Sequence, residues 1–208
     1  MIAVVEIPPQ LATYLERLVE AISSVAELDA CYLLGSAALG AYVQGESDVD
    51  VIAVTSRSLS LDERRALATA AEAVPCPARK LELVVYPRGS DEWEINLNTG
   101  EHVSFHPAEE PGFWFVLDRA IAEQHAVPLV GPPWSELFAP MTREDVLDAL
   151  ADAFDWYDRE DPEGPSSRLA VLSTIRTSYW LETGRWISKP EAAAWFWQRV
   201  RAEIEAAR

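Results

Sequence analysis

The stretch from Cys31 to Thr55 constrains this chain more than any other. A short apolar run, Cys31 to Leu34, ends at Gly35-Ser36 and a segment of small residues. The turn-prone Gly45-Glu46-Ser47 follows, and then the run Val49 to Thr55, entered through Asp48-Val49-Asp50. This pattern reads strand, short helix, turn, strand. Alternate side chains of a strand share a face, so Asp48 and Asp50 point one way while Val49 and Val51 point into a core. Two adjacent carboxylates repel unless a cation sits between them. Hard oxygen ligands of this kind suit Mg2+, which keeps several waters and takes phosphate oxygens as further ligands. Gly35 and Ser36 offer backbone N–H groups and a hydroxyl to an anion, with glycine permitting close approach. Taken singly, an Asp-x-Asp at a strand edge is solvated surface and Gly-Ser is a common turn. The joint spacing of Gly35, Ser36, Gly40, Asp48 and Asp50 is far more specific.

The rest of the chain surrounds this segment with an α+β pattern. Leu11, Tyr14, Leu15, Leu18, Val19 and Ile22 recur at helical spacing after Pro8 and Pro9. Leu61 to Ala73 reads as a helix, Leu81 to Tyr86 as a strand, Ile95 to Leu97 with Val103 to Phe105 as a hairpin, and Phe113 to His125 as a helix. Beyond Gly131-Pro132-Pro133 and Pro140 no strand pattern appears. Thr142 opens a helix to about Tyr157, a second runs Arg168 to Thr183 and stops at Gly184, and Ser188 with Glu191 caps a last one. The expected division is a sheet domain over 1–140 and a small helical bundle over 141–208.

Charge narrows the function. Asp and Glu number 34 against 17 Lys and Arg, a formal net charge of −17 over 208 residues. Such a surface repels nucleic acid, whose binding needs a basic stripe, and attracts cationic small molecules. An apolar share of 49% excludes disorder as the main state. Cys31 and Cys76 lack the spacing of a disulfide framework or zinc site, and no segment is apolar enough to span a membrane. The N-terminal MIAVVEIPPQ carries no basic leader, so a soluble cytoplasmic protein is expected.

At these residues the chain resembles the nucleotidyltransferase superfamily that includes DNA polymerase β, whose signature is Gly-Ser, then Gly, then Asp-x-Asp entering a strand. The likeness extends through Ser36 to Tyr42, Leu129-Val130-Gly131-Pro132, Ile175-Arg176, Tyr179, Thr183-Gly184, Lys189 and Trp195. In these the chain looks like the aminoglycoside adenylyltransferases that modify streptomycin and spectinomycin, agents of antibiotic resistance. The resemblance implies a polymerase β-like nucleotidyltransferase sheet domain and transfer of AMP from ATP to a hydroxyl of the antibiotic, releasing pyrophosphate, with two Mg2+ ions. Other acceptors, a protein side chain or a biosynthetic aminosugar, remain open. So does a non-catalytic nucleotide-binding or toxin–antitoxin module, which would have no need of three costly acids.

Glu82 is the third acid. It lies among apolar residues of a strand expected to be central, where an unpaired carboxylate is costly. It is read as a metal ligand and as the general base for the acceptor hydroxyl, against the alternative of an edge strand with Glu82 facing water. Arg176 falls within the apolar arc of Leu169, Leu172, Ile175, Tyr179 and Trp180, so it demands an anion, either an internal acid or phosphate. Lys189 is read alone as a solvated lysine; the resemblance pairs it with Arg176 as a holder of ATP phosphates. Asp152 and Asp155 belong to an acidic run that is either a solvated face or the wall of a cleft for a polycation. Acceptor-binding acids of the family come from this region. Two departures stand out: Ser166 or Ser167 replaces an acidic position of the family, and no tryptophan near His102 matches its drug-stacking one. The chain also stops some tens of residues earlier than those enzymes, and its oligomeric state is open. His102, His106 and His125 are read as structural or solvent-facing, and Trp180, Trp186, Trp195 and Trp197 as core.

Overall fold

The computed structural model describes residues 6–208. Residues 1–5, part of the stretch read for a leader, lie outside the described residues. The chain forms two compact units. The first holds the chain up to Gly112 and Ile121–Pro140; the second holds Phe113–Ala120 and Met141–Arg208. The expected division at residue 140 therefore needs one change, because residues 113–120 join the helical unit.

The first unit is built on α1 (Pro9–Ser23), β1 (Leu28–Leu33), α2 (Gly35–Ala38), β2 (Val49–Thr55), α3 (Leu61–Glu72), β3 (Leu81–Pro87), β4 (Ile95–Asn98) and β5 (His102–Ser104), with β6 (Val127–Val130) following helix α4 (Phe113–His125). The six strands lie in the order β5-β4-β3-β2-β1-β6, with β2 and β3 parallel and all other neighbours antiparallel. A parallel pair needs a crossover between its strands, and α3 provides it. Ser60 and Glu63 cap α3 reciprocally, and the Arg57 hydrogen bond, followed by those from Ser60, lowers the Glu63 carboxyl pKa to about 2.

One sheet face is apolar throughout. Val49, Val51, Leu81, Leu83 and Leu97 are essentially without solvent contact and pack on Leu11, Leu15, Leu18 and Leu67 of α1 and α3. Burial of each such side chain contributes on the order of 2 kcal/mol. The opposite face is apolar over β1 and the far ends of β2 and β3, where Tyr32 and Tyr86 meet the rings of Trp134 and Phe138. Tyr32 also donates its hydroxyl to the Pro132 carbonyl at 2.7 Å. Strand β6 escaped the sequence reading because it contains Pro128; among the described residues it is an edge strand pairing with β1 alone, where proline is tolerated. The buried acid Glu94 is closed off by Arg64 at 2.8 Å and the Leu59 N–H at 2.9 Å, so it is a structural charge.

The second unit comprises α5 (Arg143–Arg159), α6 (Arg168–Thr183), α7 (Lys189–Ala206) and the first half of α4. Phe113 is buried with Ala149, Ala153, Tyr157 and Ala170, with Trp114, Val116 and Leu117 packed against them, which is why this half of α4 leaves the sheet unit. Capping boxes open α5 at Thr142 and α7 at Ser188, and Gly184 in the left-handed region ends α6. Trp180 and Trp186 stack and are buried, as expected; Trp195 is only half-buried and Trp197 is 67% exposed, so the latter is no core residue. Among the described residues no helix is long and apolar enough to cross a membrane.

Burial raises the Cys31 thiol from an ordinary 9.0 to about 12. A group whose folded value is raised supports the fold below its unfolded value and withdraws that support as pH rises. Stability is therefore expected to decline between about pH 9 and 12 in urea titrations, and less so in Cys31→Ala. At neutral pH a thiol reagent is expected to modify half-buried Cys76 in the native protein and Cys31 only after unfolding.

Candidate functional site

The parallel register sets the site. Asp50 is the Cα partner of Glu82 across β2 and β3, and Glu82 is the partner of Asn98 on β4, which in turn faces His102 on β5. Partners in a sheet share a face about 4.8 Å apart. The two carboxylates therefore stand side by side, on the face opposite to the buried Val49, Val51, Leu81 and Leu83. Strand β3 is interior, which removes the reading of Glu82 as an edge residue.

Gly35 explains itself against Asp50. Its φ is +58°, and a β-carbon placed there would overlap the Asp50 carboxylate. The Leu34 N–H donates to the Asp50 carbonyl at 2.9 Å, tying the start of α2 to β2 beside the acid. The Ser36 hydroxyl is buried with no hydrogen-bond partner among the described residues. Leaving such a group unsatisfied costs about 1–3 kcal/mol, so a polar ligand or water that reaches it is favoured. Gly35, Ser36, Asp50 and Glu82 are thus gathered in one sheet unit.

Asp48 differs from the expectation. It lies one residue before β2, and Arg79 holds both its oxygens, Nε at 2.8 Å and Nη2 at 2.5 Å. That contact pushes the Arg79 guanidinium further above its ordinary range. Glu82 is likewise paired, with Lys80 Nζ at 2.8 Å. Lys80 also reaches Glu101 at 2.7 Å and the Asn98 side-chain oxygen at 3.4 Å. Burial lowers the Lys80 pKa, but its hydrogen bonds to Glu101 and Glu82 outweigh this and leave it raised. Arg79, Glu101 and Asn98 were not singled out from sequence. The signal available was the alternation Lys80-Leu81-Glu82, which mirrors Asp48-Val49-Asp50 on the neighbouring strand.

Among the described residues no three His, Cys, Asp or Glu side chains are grouped so as to hold a metal by themselves. Mg2+ does not require this, since it binds through one or two carboxylates with water and substrate phosphates completing the shell. The adjacent Asp50 and Glu82, the Gly35 cradle and the orphan Ser36 hydroxyl fit a metal-bound phosphate in that manner. Asp48 joins such a set only by parting from Arg79.

In the second unit Arg176 is half-buried, its guanidinium 5.6 Å from the centre of the Trp186 ring. The buried stripe of α6 runs through Ala170, Thr177 and Trp180, whereas Leu169 is 39% exposed, so the apolar arc is rotated from the expected one. Arg176 also acts on Tyr157, whose phenol is raised by burial and lowered by its bond to Ser173 and by this cation. Lys189 begins α7 and is half-buried. Asp152 and Asp155 are exposed on α5, with Asp155 3.4 Å from Arg159. Ser167, one of the two serines set against the family's acidic position, caps α6 by accepting the Ala170 N–H at 3.0 Å and donates to Asp161 at 2.9 Å. His102 contacts Glu110 at 3.0 Å.

No family model matches the chain. It is 29% identical over 223 aligned residues to the aminoglycoside (3'')(9) adenylyltransferase of Shigella flexneri, covering 94% of this chain and 82% of the relative. The enzyme of the same name from Escherichia coli is equally similar, with 94% and 81% covered. Among solved structures the fold is similar to that of spectinomycin adenyltransferase AAD(9) from Enterococcus faecialis, crystallised with ATP and spectinomycin. There the TM-score is 0.67 at 15% identity, over 88% of this chain and 79% of that one. The expected α+β nucleotidyltransferase fold is therefore the fold observed.

Gly35→Ala is expected to cost at least about 1–2 kcal/mol from its left-handed backbone alone and to displace Asp50. Urea unfolding measures the first effect, and loss of nucleotide binding by the folded variant measures the second.

Proposed function

We propose that this chain, similar along 94% of its length to aminoglycoside (3'')(9) adenylyltransferases, transfers AMP from ATP to a hydroxyl of an aminoglycoside or aminocyclitol. The observation that carries this reading is the in-register pairing of Asp50 with Glu82 beside Gly35 and the unsatisfied Ser36 hydroxyl. That arrangement joins hard anionic ligands to a phosphate-sized polar cradle. A net charge of −17 suits a cationic acceptor and raises its local concentration.

In the reaction the acceptor oxygen attacks the α-phosphorus of ATP, the bond from that phosphorus to the bridging oxygen breaks, and pyrophosphate leaves. Glu82 takes the proton of the attacking hydroxyl. Asp50 and Glu82, with Asp48 once it is released from Arg79, are the metal-binding carboxylates of this reading. Two Mg2+ ions held by these carboxylates would supply electrostatic stabilisation of the charge on the entering and leaving oxygens. Ser36 donates its hydroxyl to a phosphate oxygen, and the backbone at Gly35 lies against the same group. Arg176 and Lys189 are assigned to the triphosphate, and Asp152 and Asp155 to the amino groups of the acceptor, on the resemblance of their sequence positions.

Incubation of the protein with ATP, Mg2+ and a panel of aminoglycosides, read by mass spectrometry, is expected to yield a monoadenylylated drug and an equal amount of pyrophosphate. Absence of any adduct across the panel refutes the acceptor class. Glu82→Gln is expected to lower turnover by roughly 10²–10⁴-fold while calorimetry still detects ATP. Asp50→Asn is expected to weaken Mg2+-dependent ATP binding, and Arg176→Ala to raise the KM for ATP more than that for the drug.

A further inference from the structure

Arg79 and Lys80 are adjacent in sequence and each holds one of the acids just assigned to metal. Arg79 grips Asp48 through two nitrogens, and Lys80 bridges Glu82 and Glu101. Their backbone is anchored to the strand opposite. The Arg79 N–H donates to the Ser47 carbonyl at 3.0 Å, and the Val49 N–H donates to the Lys80 carbonyl at 2.9 Å, continuing the β2–β3 pairing beyond the strand ends. However their side chains turn, both cations stay tethered beside Asp48 and Glu82.

We propose that Arg79 and Lys80 are internal counter-cations that compete with divalent metal for Asp48 and Glu82, so that metal binds tightly only together with a triphosphate. This rests on the nucleotide-binding reading of the site given above. The two cations are unequal in what they leave behind. The Arg79 side chain is 61% exposed, so on parting from Asp48 it is solvated or meets a phosphate at little cost. The Lys80 side chain is 11% exposed, and an unpaired ammonium there is costly. Glu101 at 2.7 Å and the Asn98 oxygen at 3.4 Å keep Lys80 partnered when Glu82 turns to metal. Glu101 is thus the positioning residue that lets Glu82 leave Lys80. Metal entering alone must displace both cations without a replacement anion for Arg79. Metal entering with a triphosphate brings that anion with it.

The test is Mn2+ binding to the full chain, followed by electron paramagnetic resonance with and without a non-hydrolysable ATP analogue. Arg79→Gln is expected to bind Mn2+ alone roughly threefold to tenfold more tightly, and to gain less from the analogue than the wild type does. Glu101→Gln is expected to bind Mn2+ more weakly, because Lys80 then depends on Glu82. Arg65→Gln, an equal charge change on the exposed face of α3, is expected to leave Mn2+ binding unaltered and so controls for net charge. Unchanged or weakened Mn2+ binding by Arg79→Gln, or an equal gain from Arg65→Gln, overturns the proposal. Both Arg79 and Glu101 are surface side chains, so their variants are expected to fold, with circular dichroism as the check. Adenylylation assayed in parallel separates the two readings. Tightened Mn2+ binding without transfer by the wild type refutes the function and keeps the counter-cations; transfer with unaltered Mn2+ binding does the reverse.

Discussion

The parallel register of β2 with β3 is the constraint on which the rest of the sheet unit depends. Parallel pairing of β2 with β3 forces these two acids into neighbouring positions on one face, about one strand spacing apart. The pairing itself is fixed by the opposite face, where Val49, Val51, Leu81 and Leu83 are sealed against α1 and α3. A shift of one residue would bury the acids and expose the valines and leucines, so core and site specify the same register. Side-chain cations stand beside the acids of this face: Arg79 on Asp48, Lys80 between Glu82 and Glu101.

Glu94 shows what a purely structural acid looks like in the same unit. It is 7% exposed, and Arg64, the Ser58 hydroxyl and the Leu59 N–H close its oxygens off. Glu82, by contrast, keeps a side chain 36% exposed and shares its one lysine with a second acid. Ser36, a short distance along the chain from β1, has a buried hydroxyl without a partner among the described residues. Glu94 is closed off and holds the fold together, whereas Glu82 on the sheet shares its cation and Ser36 on α2 has its hydroxyl unmet. Such a division is expected where a scaffold must stay rigid while its ligands change.

Much of the fold was legible residue by residue. The helix over Arg168–Thr183 and the capping boxes at Thr142 and Ser188 follow from local chemistry that acts within a turn or two. The strand Val49–Thr55 follows from the apolar run Val51 to Val54, entered through Val49-Asp50. Strand β6 was hidden by Pro128, because only its place at the sheet edge makes a proline acceptable. Trp197 reads as core from its composition, yet its helix turns it to the surface. The first half of α4 reads as part of the sheet domain, but Phe113 and Trp114 are taken up by the aromatic and small side chains of α5 and α6.

The candidate site divides along the same line. Gly35, Ser36, Asp50 and Glu82 could be named from sequence because their roles follow from residue type, strand alternation and motif spacing, all properties of a short segment. The pairing partners Arg79, Glu101 and Asn98 could not, since they come from the α3–β3 connection, the β4–β5 turn and the end of β4, which meet only when β2, β3 and β4 lie in register. Sequence by itself determined which acids the chain carries and which faces of its strands are apolar. Tertiary structure alone decided which cation neutralises which acid, because ion pairing between distant segments depends on a Coulomb energy that has no meaning until the distance is set.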